Sequence, residues 1–239
     1  MLDGLGPDEW SRPTGVEDSD VRELVAHLVG VERYVLGQLG RRPKLLAPTR
    51  EDHFPITQQA TTDLVDASGP VVAATWWSEV SELIATAGPL DPAYDVSYHH
   101  LGGSVRGLLV VRTFELWTHD DDIRRAVNLP PNLLDDARLT LMSSELVDVL
   151  NLGMALSGTT RSGRTARLDL TGSGGGTYLV ALAPGEDADV PDITITASTL
   201  DLCRFASNRV SFDLLDLDVE GDRSLLEPIL VGATAFAAD

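Results

Sequence analysis

The chain has 239 residues, an apolar fraction of 43 % and a formal net charge of −19, enough length for one large domain or two small ones with a real core. The 17 Arg and Lys44 form no clustered basic patch, which excludes a nucleic-acid phosphate backbone as partner, and the acidic balance disfavours an anionic membrane surface. No apolar run approaches the roughly 18 residues needed to span a bilayer, Asp3, Asp8 and Glu9 are unlike the basic start of an export signal, and Cys203 is alone, so a cytoplasmic protein without an internal disulfide is expected.

Residues 1 to 14 read as a short helical piece that leaves through the turn Trp10-Ser11-Arg12-Pro13-Thr14. Asp20 then stands three residues before Glu23, the spacing of a capping box. Val21, Leu24, Val25, Leu28, Val31, Val35 and Leu39 follow with helical period, and Gly40 sits at the expected stop. His27 falls on the core-facing side of that helix. Alone, such a histidine is more often a hydrogen-bonded core residue than a ligand.

Residues 43 to 56 read as a loop holding His53 beside Asp52. Helical patterning returns over Thr57 to Asp66, and Ser68-Gly69-Pro70 opens another helix to Ala87. Residues 90 to 104 read as irregular, with His99-His100 beside a Gly102-Gly103 turn, and Ser104 can cap the next helix. That helix, Val105 to Val127, carries Glu115 and His119 four residues apart, on one face. Leu108, Val111, Leu116 and Ile123 recur near the same stripe, so the pair is expected to look inward.

Three or four amphipathic helices with modest connections indicate a helix bundle over residues 1–131. A helix from Leu134 to Leu156 leads into residues of period two: Ala166-Leu168-Leu170, Tyr178-Val180-Leu182 and Ile193-Ile195. Gly172 to Gly176 reads as the hairpin turn between the first two strands. The run TGSGGG is not a phosphate loop, because a strand rather than a helix follows it. Ser198 caps a helix from Thr199 to Ala206, Phe212 to Val219 reads as a strand, and Gly221-Asp222-Arg223 leads into a last helix to Phe236. Residues 132–239, linking helix included, therefore read as an α+β domain.

A carboxylate and an imidazole facing a core need a partner, because burying them unpaired is costly. An i, i+4 hydrogen bond between Glu115 and His119 is one solution, and a bound divalent metal is another. Covalent hydrolase readings fail, since Gly102-Gly103-Ser104-Val105-Arg106 lacks the second glycine of a nucleophile elbow and Cys203 sits in an apolar helix. What remains is His27, Glu115 and His119. Metal sites in helix bundles are built in this way, from such residues directed inward by two helices. Two imidazoles and one carboxylate leave a coordination position open, as in catalytic zinc, though iron(II) suits the same set.

The segments Pro13-Thr14, VRELVAHL (21 to 28), VRTFELWTHDDDIRRA (111 to 126) and EGDRSLLEPIL (220 to 230) resemble the mycothiol-dependent maleylpyruvate isomerase family of actinobacteria. The run of Arg112, Glu115, His119 and Asp122 is the most specific part. The resemblance implies an N-terminal DinB-like four-helix bundle joined to a small C-terminal α+β domain. It implies a divalent metal, usually zinc, on His27, Glu115 and His119, with mycothiol or a similar small thiol as cosubstrate. Ser19 and Asp20 stand where the family commonly has a tryptophan, and Ala206-Ser207-Asn208-Arg209 replaces its aromatic-Gly-Arg sequence.

The expected function is metal-dependent cis–trans isomerisation or thiol transfer on a small anionic substrate. Arg209 or Arg223 could hold a substrate carboxylate by a bidentate contact, and Arg223 reads equally as a surface residue at a helix start. Two other readings stand beside this one. One is a non-catalytic, metal-stabilised binding or regulatory protein whose metal is closed by His99 or His100. The other is hydrolysis by a metal-bound hydroxide.

Overall fold

The computed structural model describes residues 1–16, 18–41, 53–98 and 101–237, in two compact units, Met1–Asn132 and Leu133–Asp239. The first unit is helical: α1 (Pro7–Trp10), α2 (Val21–Gln38), α3 (His53–Asp63), α4 (Gly69–Ala87) and α5 (Val105–Ala126), with two short strands, β1 (Asp95–Tyr98) and β2 (Leu101–Ser104), ahead of α5. Helix α2 is the one the others surround, touching α1, α3, α4, α5 and β1. It is buried on nearly every side, at 13 of its 18 residues, the pattern of a central helix rather than a surface one.

Local chemistry sets where α2 begins and ends. Glu23 donates its backbone N–H to Asp20 Oδ1 at 2.8 Å, and Asp20 N–H returns a bond to Glu23 Oε2 at 3.1 Å. At the other end Gly40 takes φ of +77°, its N–H bonds Gly37 O at 3.1 Å and Arg41 N–H bonds Leu36 O at 3.0 Å. This is a Schellman stop, for which a left-handed residue is required. Gly30 serves another need. A Cβ there would lie 2.3 Å from Thr57 O, so only glycine lets the backbones of α2 and α3 meet.

Two apolar clusters fill the unit. One joins Val31, Tyr34, Val35 and Leu36 of α2 to Leu83, Val96, Val105 and Leu108. The other joins Val21, Leu24, Val25 and Ala26 of α2 to Trp10, Val72, Ala73, Ile123 and Val127. The start of α2 thus meets the end of α5 and the reverse, so the two helices run antiparallel. Between the clusters, α2 contributes His27 and Glu32, while α5 contributes Arg112, Glu115, His119 and Asp122.

Several expectations are corrected. Residues 95–98 and 101–104 pair as antiparallel strands from Asp95↔Ser104 to Tyr98↔Leu101, where an irregular segment was expected, and Gly102 and Gly103 lie in β2 rather than in a turn. Their composition carries little strand propensity; the pairing supplies the order. His53 opens α3 instead of lying in a loop, and α3 ends at Asp63. The rest of the loop expected over 43–56, including Asp52, lies outside the described residues up to residue 52. Val111 is 36 % exposed. The inward stripe of α5 runs instead through Val105, Leu108, Arg112, His119 and Asp122, all buried, so its middle is polar.

The second unit holds α6 (Asp136–Leu156), β3 (Thr165–Thr171), β4 (Gly176–Ala181), β5 (Ile193–Ser198), α7 (Thr199–Ala206), β6 (Leu217–Gly221) and α8 (Leu226–Ala233). Its sheet has the order β4-β3-β5-β6, with β3 and β5 parallel and both outer pairs antiparallel. Leu146 and Leu150 of α6, Leu202 of α7, and Ile229, Leu230 and Ala233 of α8 converge on Leu168, Leu170, Ile195 and Ala197. All three helices therefore cover one face of the sheet, and Arg167 and Leu179 emerge on the other. By length and composition α6 could cross a membrane. Here it is the core helix of its unit, burying Leu139, Met142, Leu146, Val147, Leu150 and Met154.

The glycine run 172–176 forms the β3–β4 turn, as its strand-like sequel predicts. Gly174 N–H and Ser173 Oγ both donate to Asp136 Oδ1, at 2.7 and 3.0 Å, so a carboxylate already fills the concavity a phosphate would need. Residues 212–219 are not one strand. Phe212–Leu214 is a 3-10 turn whose Phe212 and Leu214 are exposed, and pairing with β5 begins only at Leu217.

The cap of α2 gives a direct test of this local control. Asp20→Ala removes the carboxylate that accepts from the Glu23 N–H and should lower stability by about 1 kcal/mol, read by chemical denaturation.

Candidate metal centre

Helices α2 and α5 bring three ligand-bearing side chains together. His27 lies two turns into α2, and Glu115 and His119 lie one turn apart in the middle of α5. Their ligand atoms all lie within 4.8 Å of one another, and this group could hold a metal ion. His27 Nε2 is 3.4 Å from Glu115 Oε1. The rings of His27 and His119 meet edge to face, centroids 5.5 Å apart and planes at 79°.

The spacing suits a cation. Ligand atoms about 2.0–2.1 Å from a tetrahedral zinc stand ~3.4 Å apart, the separation His27 and Glu115 already show. Exposure is uneven: His119 is 2 % exposed, His27 26 % and Glu115 23 %. His119 is anchored in the core while His27 and Glu115 are partly exposed.

The neighbours of this group orient it. Asp122 Oδ2 lies 3.3 Å from His119 Nδ1, and both side chains are buried. An Nδ1–H donated to Asp122 leaves the Nε2 lone pair for a metal, the usual carboxylate–histidine–metal arrangement. Arg125 Nη2 donates to the other oxygen of Asp122 at 3.2 Å. On the carboxylate side, Arg112 donates through Nη1 to Glu115 Oε2 and through Nη2 to Glu32 Oε1, the latter at 2.7 Å.

Burial drives the Glu115 carboxyl towards its neutral form. The Arg112 guanidinium, the hydrogen bond from His27 and the charges of His27 and His119 act the other way and prevail, holding it well below the usual carboxylate range. Glu115 is therefore an anion at neutral pH, as a ligand must be.

The other residues singled out in the sequence have different places. Arg209 and Arg223 belong to the second unit. Arg209 follows α7 and donates through Nη1 to Ser207 O at 2.9 Å, and Arg223 donates through Nη2 to Val219 O at 2.9 Å. Asn208 takes φ of +56°. Its N–H bonds Phe205 O and the Arg209 N–H bonds Arg204 O, both at 2.9 Å. Asparagine here does the backbone work of glycine, because it tolerates the left-handed region. His99 and His100, the candidates for closing the metal, lie outside the described residues.

Glu32 is a member of this layer that the sequence did not single out. The signal available was an acid directly after the apolar run Leu28-Val29-Gly30-Val31, at a position the helical period points inward. It is fully buried, and its partner lies 80 residues away.

Loss of one ligand should be decisive for the site. With His119 replaced by alanine, two ligands remain, which seldom hold zinc against a chelator. The purified protein should carry about one divalent ion per chain and His119→Ala should lose most of it, measured by elemental analysis. An unchanged metal content in the variant would overturn the assignment.

Comparison with known proteins identifies the family. The family model described as mycothiol maleylpyruvate isomerase N-terminal domain matches residues 1–124, the stretch that holds all three ligand-bearing residues. Two crystal structures of mycothiol-dependent maleylpyruvate isomerase, one of them of a mutant, are similar in fold. Each has a TM-score of 0.56 and 16 % identity, covering 91 % of this chain and 85 % of theirs. The comparison with curated proteins finds no match. The helical unit, its His–Glu–His group and the family match converge on one assignment: the chain belongs to the mycothiol maleylpyruvate isomerase family.

Proposed function

We propose that the protein is a metal-dependent enzyme that uses mycothiol or a similar small thiol as cosubstrate, in cis–trans isomerisation or in thiol transfer to a small anionic substrate. The observation that carries this reading is the His27–Glu115–His119 group, a three-ligand set buried at one residue and open at the other two. Zinc suits two imidazoles and a carboxylate. When bound, such an ion would supply an open position at which a thiol sulfur ionises near neutral pH, where a free thiol with a pKa near ~8.5 is mostly protonated.

The side chains of this unit have defined tasks in that reading. His27 and Glu115 are the partly exposed ligands, and His119 is held from behind by Asp122. The fork of Arg112 keeps Glu115 anionic and fixes one of its oxygens. In an isomerase the thiolate adds to one carbon of an activated cis double bond, the resulting single bond rotates, and elimination restores both the double bond and the thiolate. In a transferase the adduct takes up a proton and is kept.

The nucleophile in this scheme is external. Cys203 supports that choice: it is fully buried, and burial pushes its thiol up to about 12. Cys203→Ala should keep activity within a few-fold and cost about 1 kcal/mol of stability. Wild type active without added thiol, together with a dead Cys203→Ala variant, would make Cys203 the nucleophile instead.

The open position is tested by cobalt substitution. Adding a small thiol in molar excess should change the d–d bands and introduce a sulfur-to-metal charge-transfer band. A spectrum indifferent to thiol would overturn the catalytic reading in favour of a closed, non-catalytic metal.

A further inference from the structure

Glu32 is a carboxylate with no exposed surface, inside an apolar stretch of α2. Its Oε1 accepts from Arg112 Nη2 at 2.7 Å, and among the described residues its Oε2 has no hydrogen-bond partner. An acid is retained there at considerable cost, since taking a charge out of water is unfavourable even when it is paired. The fold does not need it for capping or for the apolar clusters. What it does is occupy one end of a guanidinium whose other end is on Glu115.

We propose that Glu32 is a positioning residue for the metal centre: by holding Arg112 from behind, it keeps Glu115 to a single metal-facing oxygen. This rests on the reading of His27, Glu115 and His119 as metal ligands. Arg112 carries its two Nη groups to two different carboxylates rather than both to one. Glu115 therefore has Oε2 committed to Arg112, and only Oε1 faces His27 Nε2, at 3.4 Å.

Two consequences follow from charge and geometry. A carboxylate freed to turn would offer both oxygens to a cation and occupy the position an external ligand needs. A guanidinium released from Glu32 would move its whole fork onto Glu115, drawing both oxygens away from the histidines and leaving its charge unbalanced beside the cation. With Glu32 in place, the Arg112 guanidinium is shared between two carboxylates, so its charge does not stand unbalanced beside a cation at the His–Glu–His group.

The test compares Glu32→Gln with Glu79→Gln in the full chain, both loaded with cobalt. Glu79 is an equally apt control for lost stability. It is a nearly buried carboxylate whose Oε1 accepts from Arg33 Nε of α2 at 2.9 Å, and it stands outside the ligand group. Both variants should melt at lower temperature than wild type. Only Glu32→Gln should weaken cobalt binding, by roughly 10- to 100-fold in chelator competition, and change the d–d bands of the thiol-free protein. If Glu32→Gln does not fold, Glu32→Asp, which keeps the charge and withdraws the carboxylate by one methylene, is read against the same control. Cobalt affinity and spectrum matching those of Glu79→Gln would overturn the role of Glu32 and leave the metal site standing. A wild-type protein that takes up no cobalt would overturn the metal reading and this inference with it.

Discussion

The Arg112 guanidinium, almost fully buried between Glu32 and Glu115, is the interaction on which the helical unit depends. A lone charge at that depth would be prohibitive, and removing one partner of a buried pair typically costs about 3–5 kcal/mol. The three groups are therefore tolerable only together, with α2 and α5 in one register. Apolar contacts are non-directional and tolerate more than one pairing of partners. The charged row does not. It sets which residues of α5 stand opposite His27, and so where the His–Glu–His group forms.

That arrangement divides the bundle core by chemistry. Dry clusters at both ends supply the hydrophobic stabilisation, and a polar layer between them carries the candidate centre. Within the layer the ligand-bearing residues of α5 each have a partner behind them, Asp122 for His119 and Arg112 for Glu115. Preorganisation of this kind keeps ligand atoms at metal-like separations before any ion arrives. It also explains why the middle of α5 is polar on its inward face, where an ordinary core helix would be apolar.

In the second unit a single polar side chain organises structure without a metal. Asp136 caps no strand and faces no core, yet it draws the glycine turn of β3–β4 onto the start of α6 through Gly174 and Ser173. Those hydrogen bonds hold its carboxyl below its usual range. Asn208 takes the left-handed position at the end of α7. Both cases show a loop defined by backbone geometry and one polar side chain rather than by a sequence signature.

The amino-acid sequence alone determined whatever is governed by neighbours within a turn or two of chain. The capping box at Asp20, the stop at Gly40, the caps at Ser104 and Ser198, and the period-two strands around Leu168 and Ile195 were all legible because their hydrogen bonds and faces are local. The pairing of Glu115 with His119 was legible for the same reason, being one helical turn. Tertiary structure decided the rest. The strands at Asp95 and Leu101 exist through their mutual pairing, and Phe212 to Leu214 stays out of the sheet because that segment finds no partner strand. Val111 misled about the inward face of α5 because apolar residues usually mark the core, and here buried charge does. Glu32 shows in the sequence only as an acid at an inward helical position: its role comes from a guanidinium 80 residues away, a contact that exists only once the two helices have packed.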